Sequence, residues 1–167
     1  VLAFHLSSTN SINVIYVPLL YSMAMGVDAI SALFFGYTYD KKGVGILHLS
    51  ILSSILFVPI FFLIDGTIGV IIGMILWGIS MGAMESILKA VVASLVSKDK
   101  RATAYGIFYT VFGGAWFLGS AIIGFLYEQN TLYVVIFSIV MEILAMIALM
   151  IYITKHKKEN SHAVITP

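Results

Sequence analysis

The sequence predicts an all-α, polytopic membrane helical bundle, and three observations predict it. Of its residues, 60% are hydrophobic and 10% charged, and the mean hydropathy is +1.05, far from the balance of a soluble domain. Residues 46–64, 66–84 and 102–127 contain no Asp, Glu, Lys or Arg. Between the apolar stretches lie short connections whose charge alternates between basic and acidic.

Taken in order, residues 1–13 come first. Val1 to Leu6 is apolar but too short to cross a bilayer, and the polar Ser7, Ser8, Thr9, Asn10 and Ser11 follow, so this segment reads as the outer end of a partial helix. Five complete transmembrane helices are then expected at about 16–38, 46–64, 66–92, 102–127 and 131–154, since about 20 residues rising 1.5 Å each cross a ~30 Å hydrocarbon layer. Pro18 falls near the start of the first, where a missing backbone donor costs little, and Pro59 inside the second is expected to bend it. In the third, Gly78, Gly82, Glu85 and Lys89 share one helical face, and Gly69 with Gly73 forms a second pair of small residues. In the fourth, Gly106, Thr110, Gly113, Ser120 and Gly124 make a further stripe. Both stripes predict close helix packing. The bundle is assigned to residues 1–154, and residues 155–167 to a cytoplasmic tail expected to be disordered.

Sidedness follows from the connections. Asp40, Lys41 and Lys42 lie in the first, Asp65 in the second, Lys98, Asp99, Lys100 and Arg101 in the third, Glu128 in the fourth, and Lys155, His156, Lys157 and Lys158 after the last span. Lys and Arg collect on the cytoplasmic side, which puts the three basic clusters and the C-terminus inside and the acidic turns outside. Nucleic acid is not an expected partner, because holding topology accounts for lysines at span ends.

A carboxylate at mid-bilayer costs ~2.5–3.5 kcal/mol on insertion scales, so it turns from lipid and often belongs to a proton or substrate path. Asp28 is midway along its span, beside Ala24, Met25, Ser31 and Ala32, a small, partly polar face that directs it toward protein or a water-filled cavity. Glu85 and Lys89 form an acid-before-base i,i+4 pair. Glu142, near the middle of the last span, reads as a structural hydrogen-bonding acid. Tyr105, Tyr109, Phe112 and Trp116 make an aromatic stripe, with Trp116 placed to meet lipid or an apolar or aromatic substrate.

Two motifs carry a family resemblance. Gly36, Asp40, Lys41, Lys42 and Gly43, between the first and second spans, form a stretch similar to the Gly-x-x-x-Asp-Arg/Lys-x-Gly signature of the major facilitator superfamily. Ser97 to Phe108, with Arg101, Ala102, Thr103, Ala104 and Gly106, resembles that family's connection from the tenth to the eleventh helix, with Ala102 where the family commonly has Gly. The order, spacing and sidedness of the two match the C-terminal half of a twelve-helix transporter. The resemblance implies that residues 1–13 end a seventh helix, that the five spans are the eighth to the twelfth, and that the chain is the C-terminal piece of a longer polypeptide whose N-terminal half supplies the rest of any substrate site. It also implies a tenth helix lining the central cavity and a peripheral twelfth.

The expected function is secondary active transport of a small solute by alternating access, coupled to H+, in the plasma (inner) membrane. Asp28, Glu85, Lys89 and Trp116 are the transport or ion-coupling candidates. Gly36, Asp40, Lys41, Lys42, Gly43 and Arg101 are candidates for a cytoplasmic gate, in which Asp40 and Arg101 would join Glu85 and Lys89 as a latch. The expected partners are the lipid bilayer, a small-molecule substrate, H+ and the missing half of the polypeptide. A non-transporting assembly or sensor subunit that keeps the fold is the competing reading, with a half-size channel behind it, and no residue identifies the solute. Enzymatic activity, cofactors and metals are not expected. The chain has no phosphate-loop motif, no His-Glu-x-x-His and no Gly-x-Ser-x-Gly, its four histidines are scattered, and it has no cysteine.

Overall fold

The computed structural model describes residues 1–8 and 12–163, apart from the side chains of residues 14 and 156–163. The described residues are helical almost throughout: α1 (Leu2–Ser8), α2 (Val17–Lys42), α3 (Leu47–Leu63), α4 (Thr67–Leu95), α5 (Arg101–Gln129) and α6 (Thr131–Ala163). Short 3-10 turns occupy Val14–Tyr16, Gly43–Ile46 and Lys98–Lys100. Pro18 sits in the first turn of α2, where its fixed φ and missing N–H suit a helix start. Pro59 lies inside α3. Helix α6 continues beyond residue 154 to Ala163. The expectation of disorder concerned residues 155–167, of which 164–167 lie outside the described residues.

Among the described residues, four stretches are long and apolar enough to cross a membrane: Val17–Leu63, Thr67–Leu95, Lys98–Gln129 and Thr131–Lys155. This count differs from the five expected because α2 and α3 fall within one 47-residue stretch, joined by the 3-10 turn at Gly43–Ile46. Helix α3 by itself has 17 residues, which is only about 26 Å of helix. The stretch nevertheless reverses. Gly43 ends α2 at φ 67°, and its N–H donates to the Tyr39 carbonyl. A ring nitrogen of His48 closes the start of α3 on the Gly45 carbonyl at 2.6 Å. Gly66, at φ 89°, makes the next reversal and caps α4. Both angles lie in the left-handed region that glycine enters without a Cβ penalty.

Helix α4 is the centre of the packing, and its small residues divide between two neighbours. Gly69 and Gly73 meet α3 at Ile64 and Phe61, whereas Gly78 and Gly82 meet α2 at Ala24, Val27, Asp28 and Ala32. Rising contacts on both helices, Gly78 with Ala24 and Ser86 with Gly36, make α2 parallel to α4. Falling ones, Phe61 with Gly73 and Ser50 with Ser80, make α3 antiparallel to it. The core lies at this junction, where Leu20 and Ala24 of α2, Phe57 and Phe61 of α3, and Val70 and Met74 of α4 pack with Leu6 of α1 and Val135 of α6. A smaller cluster, Phe35, Ile46, Ala83 and Ile87, closes the opposite end.

Helix α5 stands apart. None of its residues is buried, and a Cβ added at Gly106, Gly113, Gly114, Gly119 or Gly124 would meet nothing within 4 Å. The expected close packing along this stripe is therefore absent within the described chain. Packing marks the glycines of α4 and leaves those of α5 uncovered, although the sequence pattern of the two helices is alike.

Candidate functional site

Helices α4 and α5 border a cavity of about 300 Å³ lined by Met81, Met84, Glu85, Lys89, Phe112 and Trp116 among others. Three of the four residues expected to bind or couple, Glu85, Lys89 and Trp116, thus come together. The i,i+4 spacing places the Lys89 Nζ 3.3 Å from the Glu85 carboxylate, and each side chain is 49% exposed. The Tyr105 hydroxyl donates to the Lys89 carbonyl at 2.8 Å, which ties the start of α5 to α4. The aromatic stripe follows helical spacing down α5: Tyr105 stacks on Tyr109 and Phe108 on Phe112, and Phe112 meets Trp116 edge to face with centroids 5.8 Å apart. One wall of the cavity is therefore charged and thioether-rich, and the other is aromatic.

Asp28 approaches the same helix from the other side. Of the small face read from the sequence, Ala24 and Ser31 are buried and Ala32 meets α4 at Gly82, whereas Met25 is exposed. The Oδ1 atom is buried and has no hydrogen-bond partner among the described residues. It lies opposite Gly82, where the backbone of α2 comes so close that an added Cβ would stand 2.8 Å from the Ala32 nitrogen. Asp28 does not line the α4–α5 cavity, yet it is within electrostatic reach of both Glu85 and Lys89. Asp28 of α2 thus stands beside the segment of α4 that carries Glu85 and Lys89.

A sequence profile of the Major Facilitator Superfamily matches residues 1–166. The chain belongs to the major facilitator superfamily. Among its relatives are uncharacterized proteins of Mycobacterium bovis and of two strains of Mycobacterium tuberculosis, each 38% identical over 146 residues. The matched region is 87% of this chain and 36% of theirs, so the chain spans about a third of the length of the curated relatives it matches. No solved structure matches it.

In this major facilitator superfamily chain the signature residues are mostly helical. Gly36, Asp40, Lys41 and Lys42 belong to the last two turns of α2, and the reversal begins at Gly43. The physical reason is that only Gly43 adopts a positive φ, and nothing before it forces the helix to end. At Gly36 a Cβ would stand 2.9 Å from the Ser86 hydroxyl, so this glycine sets how closely α2 and α4 approach. Lys41 donates to the Tyr37 hydroxyl and lies over its ring, 4.2 Å from the centroid. The four-residue latch is not assembled. Lys89 and Glu85 form the ion pair of the described residues, and the buried Arg101 Nε has no partner among them.

Sequence reasoning missed two features of the neighbourhood. Nothing in the composition pairs Ser54 with Glu142, although the Ser54 hydroxyl donates to that carboxylate, and no motif selects Gly82 as the residue facing Asp28. Both depend on interhelical register. The serine-rich face of α3, with Ser50 and Ser54 one turn apart, was the available hint of a polar seam.

Proposed function

We propose that this chain forms one half of a secondary active transporter that moves a small solute by alternating access and couples that movement to protons. The observation that carries the reading, for a chain of this superfamily, is the cavity between α4 and α5. It joins an ion pair to an aromatic wall, and it lies beside a helix that the rest of the chain leaves unburied. In this reading α2 to α6 make five crossings, α1 is the outer end of a further helix, and the N-terminal half of the polypeptide faces α5. The C-terminus is cytoplasmic, on the strength of the basic clusters at alternate connections, and the membrane of this reading is the plasma (inner) membrane.

The residues take distinct roles. Trp116 and its aromatic neighbours contact an apolar or aromatic part of the solute, while Glu85 and Lys89 present paired charge to its polar part. Asp28 is the coupling carboxylate, a role supported by a buried oxygen that no described donor satisfies. Gly36, Asp40, Lys41, Lys42, Gly43 and Arg101 sit at the cytoplasmic gate, whose latch closes in another state of the cycle. Opposed preferences of solute and proton for the inward and outward states then link the two fluxes.

Flux measured in vesicles containing the full-length protein tests this. Solute movement that follows an imposed pH gradient supports the proposal, and absence of net flux under any gradient favours a non-transporting subunit of the same fold.

A further inference from the structure

Helix α5 is fastened near each of its ends by a phenol. At one end the Tyr105 hydroxyl donates to the Lys89 carbonyl of α4. At the other the Tyr127 hydroxyl lies 2.8 Å from Nδ1 of His5 and 3.3 Å from the Ser8 hydroxyl, both on α1. A neutral imidazole can accept there from the phenol. Phe4 of α1 meets the Tyr127 ring edge to face, with centroids 5.8 Å apart. Between the two fastenings no residue of α5 is buried, and the adjacent Gly113 and Gly114 have open space around them, which gives the helix a place to bend.

Two groups compete for His5. Only 7% of the residue is exposed, and its ring is enclosed by Phe61, Phe62 and Tyr127, with centroids 4.8–5.7 Å away. The residues of α3, α4 and α6 that pack around the neighbouring Leu6, among them Phe61, Val70 and Val135, are apolar, and Tyr21 of α2 is turned to Trp77. Among the described residues, the titratable groups that reach the imidazole are Tyr127 on α5 and Asp65 in the turn between α3 and α4. A neutral ring suits the aromatic box and the phenol. An imidazolium does not, because taking a full charge out of water costs more than ring faces return. The exposed carboxylate of Asp65 offers that charge both water and an opposite sign. Histidine changes charge between about pH 5 and 8, so mild acid suffices to exchange one partner for the other.

We propose that His5 and Tyr127 form a pH-operated clasp on the outer face of the bundle: neutral His5 holds the outer end of α5 against α1, and protonated His5 turns to Asp65 and releases it. Released at Tyr127 and still tied at Tyr105, α5 swings about its inner end as a lid over the cavity that it borders with α4. Acid at the outer face thus widens the groove that contains Glu85, Lys89 and Trp116. The outer position of the clasp rests on the transport reading and its sidedness. Its opening is measured as a distance, with neither solute nor gradient present, so its failure and the failure of the transport reading are distinguishable.

The test is the distance between spin labels placed by Val1→Cys and Phe125→Cys, both exposed positions, in the full-length protein in detergent, followed from about pH 8 to about pH 5. Expected is a single distance at the alkaline end that gives way to a longer, broader distribution in acid. The midpoint should fall by on the order of half a pH unit in Asp65→Asn, where the open form loses its partner, and rise in Tyr127→Phe, where the closed form loses its own. His5→Gln, which cannot take a charge, should remove the response. A distribution that does not change with pH when His5 is present overturns the proposal, as does the same pH response in a folded His5→Gln variant. Where that variant does not fold, Asp65→Asn decides, because Asp65 is exposed and its replacement disturbs no packing: a lowered midpoint supports the exchange of partners, and an unmoved one overturns it.

Discussion

The carbonyl and the carboxylate of Asp28 both face the α-carbon of Gly82. A Cβ at residue 82 would collide with the Asp28 carbonyl oxygen and stand 2.9 Å from Oδ1. The glycine therefore does two things at once: it lets the backbones of α2 and α4 approach, and it leaves room for a carboxylate between helices that offer Oδ1 no donor. Small residues at membrane helix interfaces ordinarily serve only the first of these purposes.

Replacing Gly82 by Ala is expected to cost about 1–3 kcal/mol, the usual range for overpacking a filled interface, because the atoms in the way are backbone. Gly26 lies on the same helix as Asp28 but has nothing within 4 Å of its would-be Cβ. Gly26→Ala should leave thermal stability of the purified full-length protein unchanged or slightly raised, since alanine is the better helix former. Equal melting behaviour in the two variants would show that α2 and α4 do not meet at residue 82.

Asp28→Asn keeps the shape of the side chain and removes its titration. The variant should fold, bind solute and equilibrate it across vesicles, but lose the dependence of uptake on an imposed pH gradient. The measurement is initial flux with and without that gradient. Retention of the dependence moves the coupling role away from Asp28.

The fold was largely legible in the sequence because long uncharged stretches and charged connections report directly on what lipid tolerates. Asp28 facing protein was equally legible, since Ala24 and Ser31 flank it on one helical face and are buried. Partner choice was not. The spacing of glycines on α5 resembles that on α4, yet the first group faces open space and the second is divided between α3 and α2. A helical repeat fixes which residues share a face and says nothing about what that face meets. For the same reason Trp116 was named apart from the Glu85–Lys89 pair, and their sharing one cavity came from the crossing of α4 and α5. Helix α2 runs past residue 38 because Thr38 to Lys42 are polar without being helix breakers, and it continues to the first residue that needs a positive φ.

The Glu85–Lys89 pair should matter far more to solute than to stability. With half of each side chain exposed, an i,i+4 pair contributes only about 0.3–0.5 kcal/mol. Glu85→Gln and Lys89→Met are therefore expected to shift the melting midpoint by a degree or so at most, roughly in line with that energy, while raising the solute concentration for half-maximal uptake severalfold. Exchanging the two, Glu85→Lys with Lys89→Glu, restores the ion pair with its order reversed. Recovery of stability without recovery of uptake would mark the charges as solute contacts, and recovery of both would mark them as a purely structural pair.

The Ser54–Glu142 hydrogen bond joins α3 to α6, which otherwise touch chiefly through apolar side chains, so its worth is measurable by a double-mutant cycle. Interhelical hydrogen bonds within membranes average about 0.6 kcal/mol and reach about 1.7. The upper part of that range is expected here, because the acceptor is a carboxylate and Ser54 is its one described donor. Ser54→Ala, Glu142→Gln and the double variant, unfolded in parallel, give the coupling directly. A coupling near the upper value makes Glu142 a fixed strut between the two helices. A coupling near zero means that the carboxylate is free to turn into the cavity between α3 and α6.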